Sequence, residues 1–387
     1  MTAVRLVPAA ERRARLLTRH HLIPGSRAAG PVEVAGTLLG LHATDAATVY
    51  LAALARLASP SVQAVEEAFY TERTLVRALC MRRTMFAVPA GLAPLVHAAA
   101  GRPVAVKERA GLVKYLAEGG WDEAWLRSVE TSALAGLAEL GEATASELAA
   151  VEPRLREEIV FAAGKPYETR QAVGSRILRC LAADGLIRRC RPRGTWTSSQ
   201  FRWAVARPHE ELPAPEARAE LARRWLAAYG PATVEDLKWW TGWTLGDTRK
   251  ALAAVEAVPV QLDSGPGVLL PTDEDRVAEP EPVALLLPAL DPTAMGWRDR
   301  DFYLPAAHRE ALFDRTGNIG PTVWWRGQVV GAWAHRADGS VAHRLLERVD
   351  KQVERAVAAE AERVTGWLAG VRVTPRFRTP LERELAG

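Results

Sequence analysis

The chain of 387 residues contains 48% apolar and 25% charged side chains, and its formal net charge is +4. These values exclude a disordered or collagen-like chain, and the length favours two to four compact modules over one core. Three widely spaced cysteines exclude a disulfide framework and a Cys-x-x-Cys metal site. No apolar run approaches the roughly 20 residues that span a bilayer, and arginines occupy the N-terminal stretch where a signal peptide is apolar. We therefore expect a soluble cytoplasmic protein with no membrane partner.

The first 120 residues are predicted to be mostly helical. We expect helices at about 9–21, 31–40, 45–58 and 61–70, followed by a pair of strands within residues 74–89. No tryptophan precedes Trp121, although the chain has 13. The N-terminal third is therefore built differently from the rest.

The middle of the chain repeats one pattern. Residues 141–148 and 230–237 both place Gly, Ala-Thr and an acid followed by Leu at the same offsets. In each copy the threonine, Thr144 or Thr233, can cap a helix whose positive end favours the nearby acid.

Each copy is followed by a similar succession of elements. After the first we predict a helix at about 168–183 and two strands joined by a turn within 186–206. After the second we predict a helix at about 245–255 and a second strand pair within 258–271, with its turn at 265–267.

Helices followed by a two-stranded wing form the winged-helix unit, a variant of the helix-turn-helix that binds DNA. The tail differs, with a buried strand within 283–291, a hairpin turning at Arg326 and Gly327, and a helix at about 346–369. We therefore predict a mainly helical α+β fold of three tandem winged-helix units and a β-rich C-terminal module. The predicted domains are residues 1–120, 121–212, 213–279 and 280–387.

Basic residues concentrate in the second wing. Arginines with no intervening acid could contact phosphates there, with Trp196 and Trp203 beside them, and the alternative is a solvated hairpin face. These candidates are Arg188, Arg189, Arg191, Arg193 and Arg202. Arg249 and Lys250, on the last helix of the third unit, are further DNA-binding candidates or ordinary exposed charges.

The motifs of several enzyme classes are absent from the sequence. It contains no phosphate-binding loop, zinc-protease motif or nucleophile elbow, and its eight histidines have no metal-ligand spacing. We therefore expect a site without metal or cofactor. The cluster Trp239, Trp240 and Trp243 is predicted to pack in the core.

Four stretches together resemble the AlkZ/YcaQ-type DNA glycosylases, bacterial enzymes that remove bulky or crosslinking N7-alkylguanine adducts. The resemblance extends over essentially the whole chain and implies three tandem winged helices. It also implies that Arg82, Arg83, Arg298 and Arg300 bind DNA. For Arg298 and Arg300 the alternative is an ion pair with Asp299 or Asp301. The matching stretches are residues 39–50, 79–86 with Arg82 and Arg83, 290–300, and 315–321.

The family's catalytic signature is Gln-x-Gln or Gln-x-Asp, and His42 and Thr44 stand at these positions. The resemblance implies that this pair orders the water that attacks the sugar, with His42 as hydrogen-bond acceptor or general base. Asp45 could supply an anion opposite the sugar cation. The structural alternatives are a helix cap for Thr44 or Asp45 and a packing role for His42.

Three functions follow from these patterns. The first is a monofunctional, monomeric DNA glycosylase acting on alkylated purines in double-stranded DNA at the nucleoid, either in general repair or in self-resistance to a DNA-alkylating metabolite. The second is a non-catalytic DNA-binding protein, a damage sensor or a transcription regulator. The third is an interaction protein that does not bind DNA.

Overall fold

A computed structural model describes residues 4–161, 165 and 168–387 and has a mixed, mainly helical α+β fold. No helix in this described part of the chain is long and apolar enough to cross a membrane. The first portion confirms the predicted helices and the strand pair. Its elements are β1 (Arg5–Val7), α1 (Ala9–Arg19), α2 (Pro31–Thr37), β2 (Leu41–His42), α3 (Ala46–Leu54), α4 (Val62–Glu66), β3 (Leu75–Leu79), β4 (Met85–Pro89), α5 (Ala93–Val96) and α6 (Arg102–Glu118).

The second portion contains an extra strand pair that the sequence did not indicate. The helix expected from residue 168 begins only at Gly174, because Thr169–Ala172 pairs antiparallel with Glu158–Phe161 and lies exposed. The predicted wing is present. The elements are α7 (Glu123–Leu140), α8 (Ala145–Val151), β5 (Glu158–Phe161), β6 (Thr169–Ala172), α9 (Gly174–Ala183), β7 (Ile187–Pro192) and β8 (Phe201–Val205).

The third portion has the predicted helices and hairpin, but the turn lies elsewhere. Residues 265–267 belong to a strand, and the chain reverses at Asp263 and Ser264. Gly267 pairs with Val260 in this strand, and the close packing there leaves no room for a side chain, because a Cβ would lie 2.7 Å from the Leu262 side chain. The elements are α10 (Ala214–Tyr229), α11 (Val234–Thr241), α12 (Leu245–Ala254), β9 (Val258–Leu262) and β10 (Gly265–Leu269).

Both copies of the repeated pattern begin a helix as predicted. Thr144 accepts a hydrogen bond from the Glu147 N–H and Thr233 from the Asp236 N–H, and each acid bonds back to the cap backbone. These are complete capping boxes.

The C-terminal portion is a four-stranded antiparallel sheet covered by helices. Its strands follow chain order, and Arg326 (φ 49°) and Gly327 (φ 75°) form the predicted turn with left-handed backbone. The elements are β11 (Ala284–Leu287), α13 (Arg309–Leu312), β12 (Thr322–Trp325), β13 (Gln328–His335), β14 (Val341–Leu345), α14 (Lys351–Leu368) and α15 (Pro380–Ala386).

The portions do not pack as independent units. Strand β1 pairs parallel with β9, so the start of the chain completes the sheet of the third portion. One hydrophobic core runs through the first, third and C-terminal portions, whereas the second portion forms a separate core together with Leu112, Tyr115 and Leu116 of α6. Trp196 is an exception, because it leaves the second wing and packs against Tyr50 of α3, 5.1 Å between ring centroids. The winged-helix assignment and the four domain boundaries stay predictions.

A fully buried ion pair joins α3 to the C-terminal portion. Arg56 donates to both carboxylate oxygens of Asp291, at 2.7 and 2.9 Å, and to the Thr293 hydroxyl at 2.8 Å. Thr293 lies 2.7 Å from Nδ1 of His20, whose Nε2 faces the Ala228 carbonyl at 3.2 Å. Because a carbonyl only accepts, Nε2 carries the proton and Thr293 donates to Nδ1. The network thus connects α1, α3, α10 and the loop after β11.

We expect Asp291→Asn to lower the free energy of unfolding by about 3–5 kcal/mol, because it leaves the buried Arg56 charge without its counterion. The matched control is Asp301→Asn, which breaks a surface pair with Arg309 and should cost at most about 1 kcal/mol. Urea unfolding measures both variants. Equally small losses in the two would contradict a structural role for the buried pair.

Candidate functional site

His42 lies at the end of a sharp turn that enters the central sheet of the first portion. Leu39 (φ 56°) and Gly40 (φ 117°) have left-handed backbone, and a Cβ at Gly40 would lie 3.0 Å from Val88. The turn directs the chain into β2, where His42 pairs with Phe86 of β4. Its ring is 5.3 Å from that of Phe86.

The His42 side chain is only 6% exposed, and its Nδ1 is buried without a hydrogen-bond partner in the part of the chain that the structure describes. Burial, and then the positive charge of Arg82, lower the pKa of His42 from 6.5 to about 3. The imidazole is therefore neutral near pH 7. A group with so low a pKa is a poor proton acceptor, so His42 suits the hydrogen-bonding role and not that of general base.

Asp45 is the N-cap of α3. One carboxylate oxygen accepts the Ala47 N–H at 3.0 Å and the other accepts the Arg376 N–H at 2.9 Å. It also borders a small cavity of about 10 Å³, room for about one water, on the side of the C-terminal portion. The capping interpretation is therefore right for Asp45, and its role as an anion opposite the sugar cation stays a prediction. Thr44 is half-buried, and its carbonyl accepts from Arg376 at 3.3 Å.

Arg82 and Arg83 occupy the tip of the β3–β4 hairpin, both with left-handed backbone (φ 53° and 58°). Their side chains have different surroundings. Arg83 is 60% exposed and forms an ion pair with Glu108. Arg82 is half-buried, and its guanidinium carbon lies 3.9 Å from the ring centroid of Trp239. Burial, and then the charge of Arg300, lower the pKa of Arg82 to about 10.

The second matching pair of arginines is divided in the same way. Arg298 is 62% exposed and pairs with Glu235 at 3.1 Å, so the expected partner Asp299 or Asp301 is wrong. The guanidinium of Arg300 lies 5.1 Å from the Trp239 ring, and no ion pair of Arg300 occurs among the described residues. The structure therefore brings Arg82 and Arg300 together on one indole.

The contact of Trp239 with two arginines is the feature that the sequence interpretation missed. Trp240 and Trp243 are buried as predicted, but Trp239 is half-buried beneath the two arginines. The helical spacing of the buried positions Leu237, Trp240 and Thr241 would have revealed it, because Trp239 lies off their face.

The arginines of the second wing are largely engaged within the molecule. Arg189 lies over the rings of Phe201 and Trp203, at 5.1 and 5.4 Å. The others lie within ion-pair distance of acids, as the charged side chains of a solvated hairpin face do, and their contact with phosphates stays a prediction. These pairs are Arg188 with Glu142, Arg191 with Glu66, and both Arg193 and Arg202 with Glu147.

The remaining candidates are simpler. Arg249 and Lys250 are exposed on α12, and neither forms an ion pair among the described residues. Within residues 4–161, 165 and 168–387, no group of three or more His, Cys, Asp or Glu side chains could hold a metal ion.

Comparison with known proteins identifies a family and a solved structure of similar fold. The model of the AlkZ-like family, described as DNA glycosylase AlkZ-like, matches residues 35–367. The structure is similar to that of the DNA glycosylase AlkZ of Streptomyces sahachiroi, with a TM-score of 0.71 and 19% identity over 93% of this chain and 97% of that chain. At 19% identity this likeness shows that the two chains share a fold. No curated protein matches the chain.

The buried His42 predicts a pH-dependent stability difference. Its pKa is lowered in the folded state, so below about pH 6.5 the unfolded chain binds a proton that the folded chain does not. From about pH 6 to pH 4, the wild type should lose stability relative to His42→Gln by about 1.4 kcal/mol per pH unit. Urea unfolding at several pH values measures this difference, and a constant difference would mean that His42 ionises freely in the folded protein.

Proposed function

The chain belongs to the AlkZ-like DNA glycosylase family, and from that membership we propose a specific activity. The protein hydrolyses the N-glycosidic bond of alkylated purines, N7-alkylguanine with bulky or crosslinked adducts, in duplex DNA. The observation that carries the proposal is the buried, neutral His42 at the end of β2, three residues before the Asp45 cap of α3 and within reach of the positive charge of Arg82.

The proposed reaction needs little acid–base catalysis. An N7-alkylguanine is already cationic, so the electron pair of the C1′–N9 bond neutralises the base as the bond breaks. Water then bonds to C1′ and loses its proton to solvent. A neutral acceptor that orients the water suffices, and glutamine supplies one in the family signature that the sequence resembles. His42 supplies it here, with Thr44 as a second hydrogen-bonding group.

The products are a free base and an abasic site. No lysine lies within residues 39–50, so we propose no Schiff-base step and no strand cleavage. The reaction requires no metal or organic cofactor. We further propose that the protein acts as a monomer in the cytoplasm, at the nucleoid.

The DNA surface in this proposal centres on the half-buried arginines. Arg82 and Arg300 lie at the site, and Arg249 and Lys250 offer exposed charges to more distant phosphates. The wing arginines would contact phosphates only by exchanging their glutamate partners, so they contribute less per residue than their number suggests.

A second candidate is a non-catalytic DNA-binding protein. It is favoured by the 6% exposure of His42 and by the presence of histidine and threonine at the positions of the family's signature pair. It would bind damaged or specific duplex without releasing a base.

Release of free 7-alkylguanine from alkylated duplex tests the proposal. We expect His42→Ala to lower single-turnover base release by at least about 100-fold, because the attacking water loses its position. His42→Gln should stay within about 10-fold of wild type, because it keeps a neutral hydrogen-bonding group. The control is His343→Ala on β14, which should leave the rate unchanged.

The outcomes separate the two candidates. Equal rates for wild type and His42→Ala would reject the site. No base release by wild type, together with tight binding to the alkylated duplex, would reject the glycosylase and support the second candidate.

A further inference from the structure

The guanidiniums of Arg82 and Arg300 lie 3.9 and 5.1 Å from the ring centroid of Trp239, and that of Arg300 also lies 5.3 Å from the ring of Phe313. Neither arginine has a carboxylate partner in the described structure. We propose that Arg82 and Arg300 form a site for one phosphate-type oxyanion, which the DNA backbone phosphate next to the reacting nucleotide fills. The proposal rests on the proposed function, because it assigns this site to the DNA substrate.

The first argument is unbalanced charge. Nε of Arg82 and Nε of Arg300 are both buried and lack a hydrogen-bond partner among the described residues. The two positive charges also repel each other, since the charge of Arg300 contributes to lowering the pKa of Arg82. One anion between them would remove the repulsion and supply acceptors for planar guanidinium groups, which match phosphate oxygens in pairs.

The second argument is that nearby acids are already engaged. Asp236 is fully buried and accepts the backbone N–H groups of Arg298 and Asp299, each at 2.9 Å, besides its role in the α11 cap. Glu235 pairs with Lys238 and Arg298. Tyr303 donates its hydroxyl proton to the Ala294 carbonyl at 3.0 Å. The other contacts of Arg300 are neutral, namely the Tyr303 hydroxyl, the Met295 sulfur at 3.9 Å and the Phe313 ring at 5.3 Å. An external anion would therefore be the partner that balances the two guanidinium charges.

The third argument is backbone strain at the hairpin tip. Left-handed backbone is strained for a non-glycine residue, and such strain concentrates at ligand sites. Arg82 holds this conformation against Gly242, where a Cβ would lie 3.4 Å from the Arg82 nitrogen. The strained turn aims Arg82 at Trp239 while its neighbour Arg83 points to Glu108.

The site has a consequence for the reaction. The charge of Arg82 lowers the pKa of His42, and the same field would oppose positive charge on the sugar in the transition state. A phosphate held by Arg82 and Arg300 cancels that field only when DNA is bound. The two arginines are thus positioning residues that adapt the site to its cationic intermediate.

Sequence neighbours provide matched controls for the test. Arg82→Gln and Arg300→Gln remove the proposed phosphate ligands, whereas Arg83→Gln and Arg298→Gln remove exposed arginines that pair with glutamates. The probe is a duplex with a stable abasic analogue, so binding is measured without glycosylase chemistry.

We expect each site variant to weaken binding about 10-fold at roughly 0.15 M salt and to flatten the salt dependence by about one counterion. The controls should stay within about 3-fold of wild type. The double variant Arg82→Gln with Arg300→Gln should lose less than the two single losses combined, because both side chains bind one phosphate. Equal losses in site variants and controls would overturn the proposal.

A second arm changes the DNA and compares wild type with Arg82→Gln alone. Single phosphates around the abasic analogue are replaced with neutral methylphosphonates. At one position, next to the abasic sugar, the replacement should weaken DNA binding by the wild type and leave binding by Arg82→Gln unchanged. If no position behaves in this way, the DNA phosphate is not the ligand. Inorganic phosphate at constant ionic strength tests the other source: competition that depends on Arg82, without such a position, would assign the site to a free anion and overturn the proposal.

These outcomes are independent of base release. The methylphosphonate pattern together with no base release would retain the phosphate site and reject the glycosylase. Base release that depends on His42, together with equal binding by all four single variants, would support the glycosylase and reject the phosphate site.

Discussion

The ion pair between Arg56 and Asp291 is the constraint on which the arrangement of the site depends. Both side chains are fully buried, and such a pair is stable only when hydrogen bonds compensate most of the lost hydration. Both terminal nitrogens of Arg56 are bonded, its Nε has no partner among the described residues, and the hydrogen bonds through Thr293 and His20 hold four separate segments in one register.

Helix α3 transmits this constraint to the site. Arg56 fixes the chain just after the helix ends, and Asp45 fixes its start by capping it and by accepting the Arg376 N–H. His42 precedes that cap by three residues and is held in β2 by pairing with β4. A hydrogen-bonding group held this firmly can orient water without the reorganisation that a mobile side chain requires. In the proposed reaction, His42 would therefore act by positioning water more than by transferring a proton.

Local features were well predicted from the sequence, since they depend on neighbouring residues. The capping boxes at Thr144 and Thr233, the Arg326–Gly327 turn and the helices around His42 follow from short patterns. Long-range pairing was not predictable in this way. The parallel pairing of β1 with β9 and the antiparallel pairing of β6 with β5, in place of a helix, depend on partners that local periodicity does not reveal.

The surroundings of the charged side chains also depend on long-range contacts that the sequence does not show. Runs of arginine in the sequence do not show which members face glutamates, so the wing appeared more basic than it is once Glu66 and Glu147 are in place. Likewise Arg82 and Arg83 are equivalent in sequence, and only their left-handed turn directs one to Trp239 and the other to Glu108. The contrast between a satisfied and an unsatisfied arginine is a tertiary property.

A structure of the protein bound to duplex DNA with a stable abasic analogue tests the central claim most directly. We expect one water molecule to bridge the abasic sugar and the His42 ring, and the adjacent phosphate to contact both Arg82 and Arg300. A complex in which the abasic sugar lies against the second wing, away from His42, or in which both arginines stay free of phosphate, would contradict it.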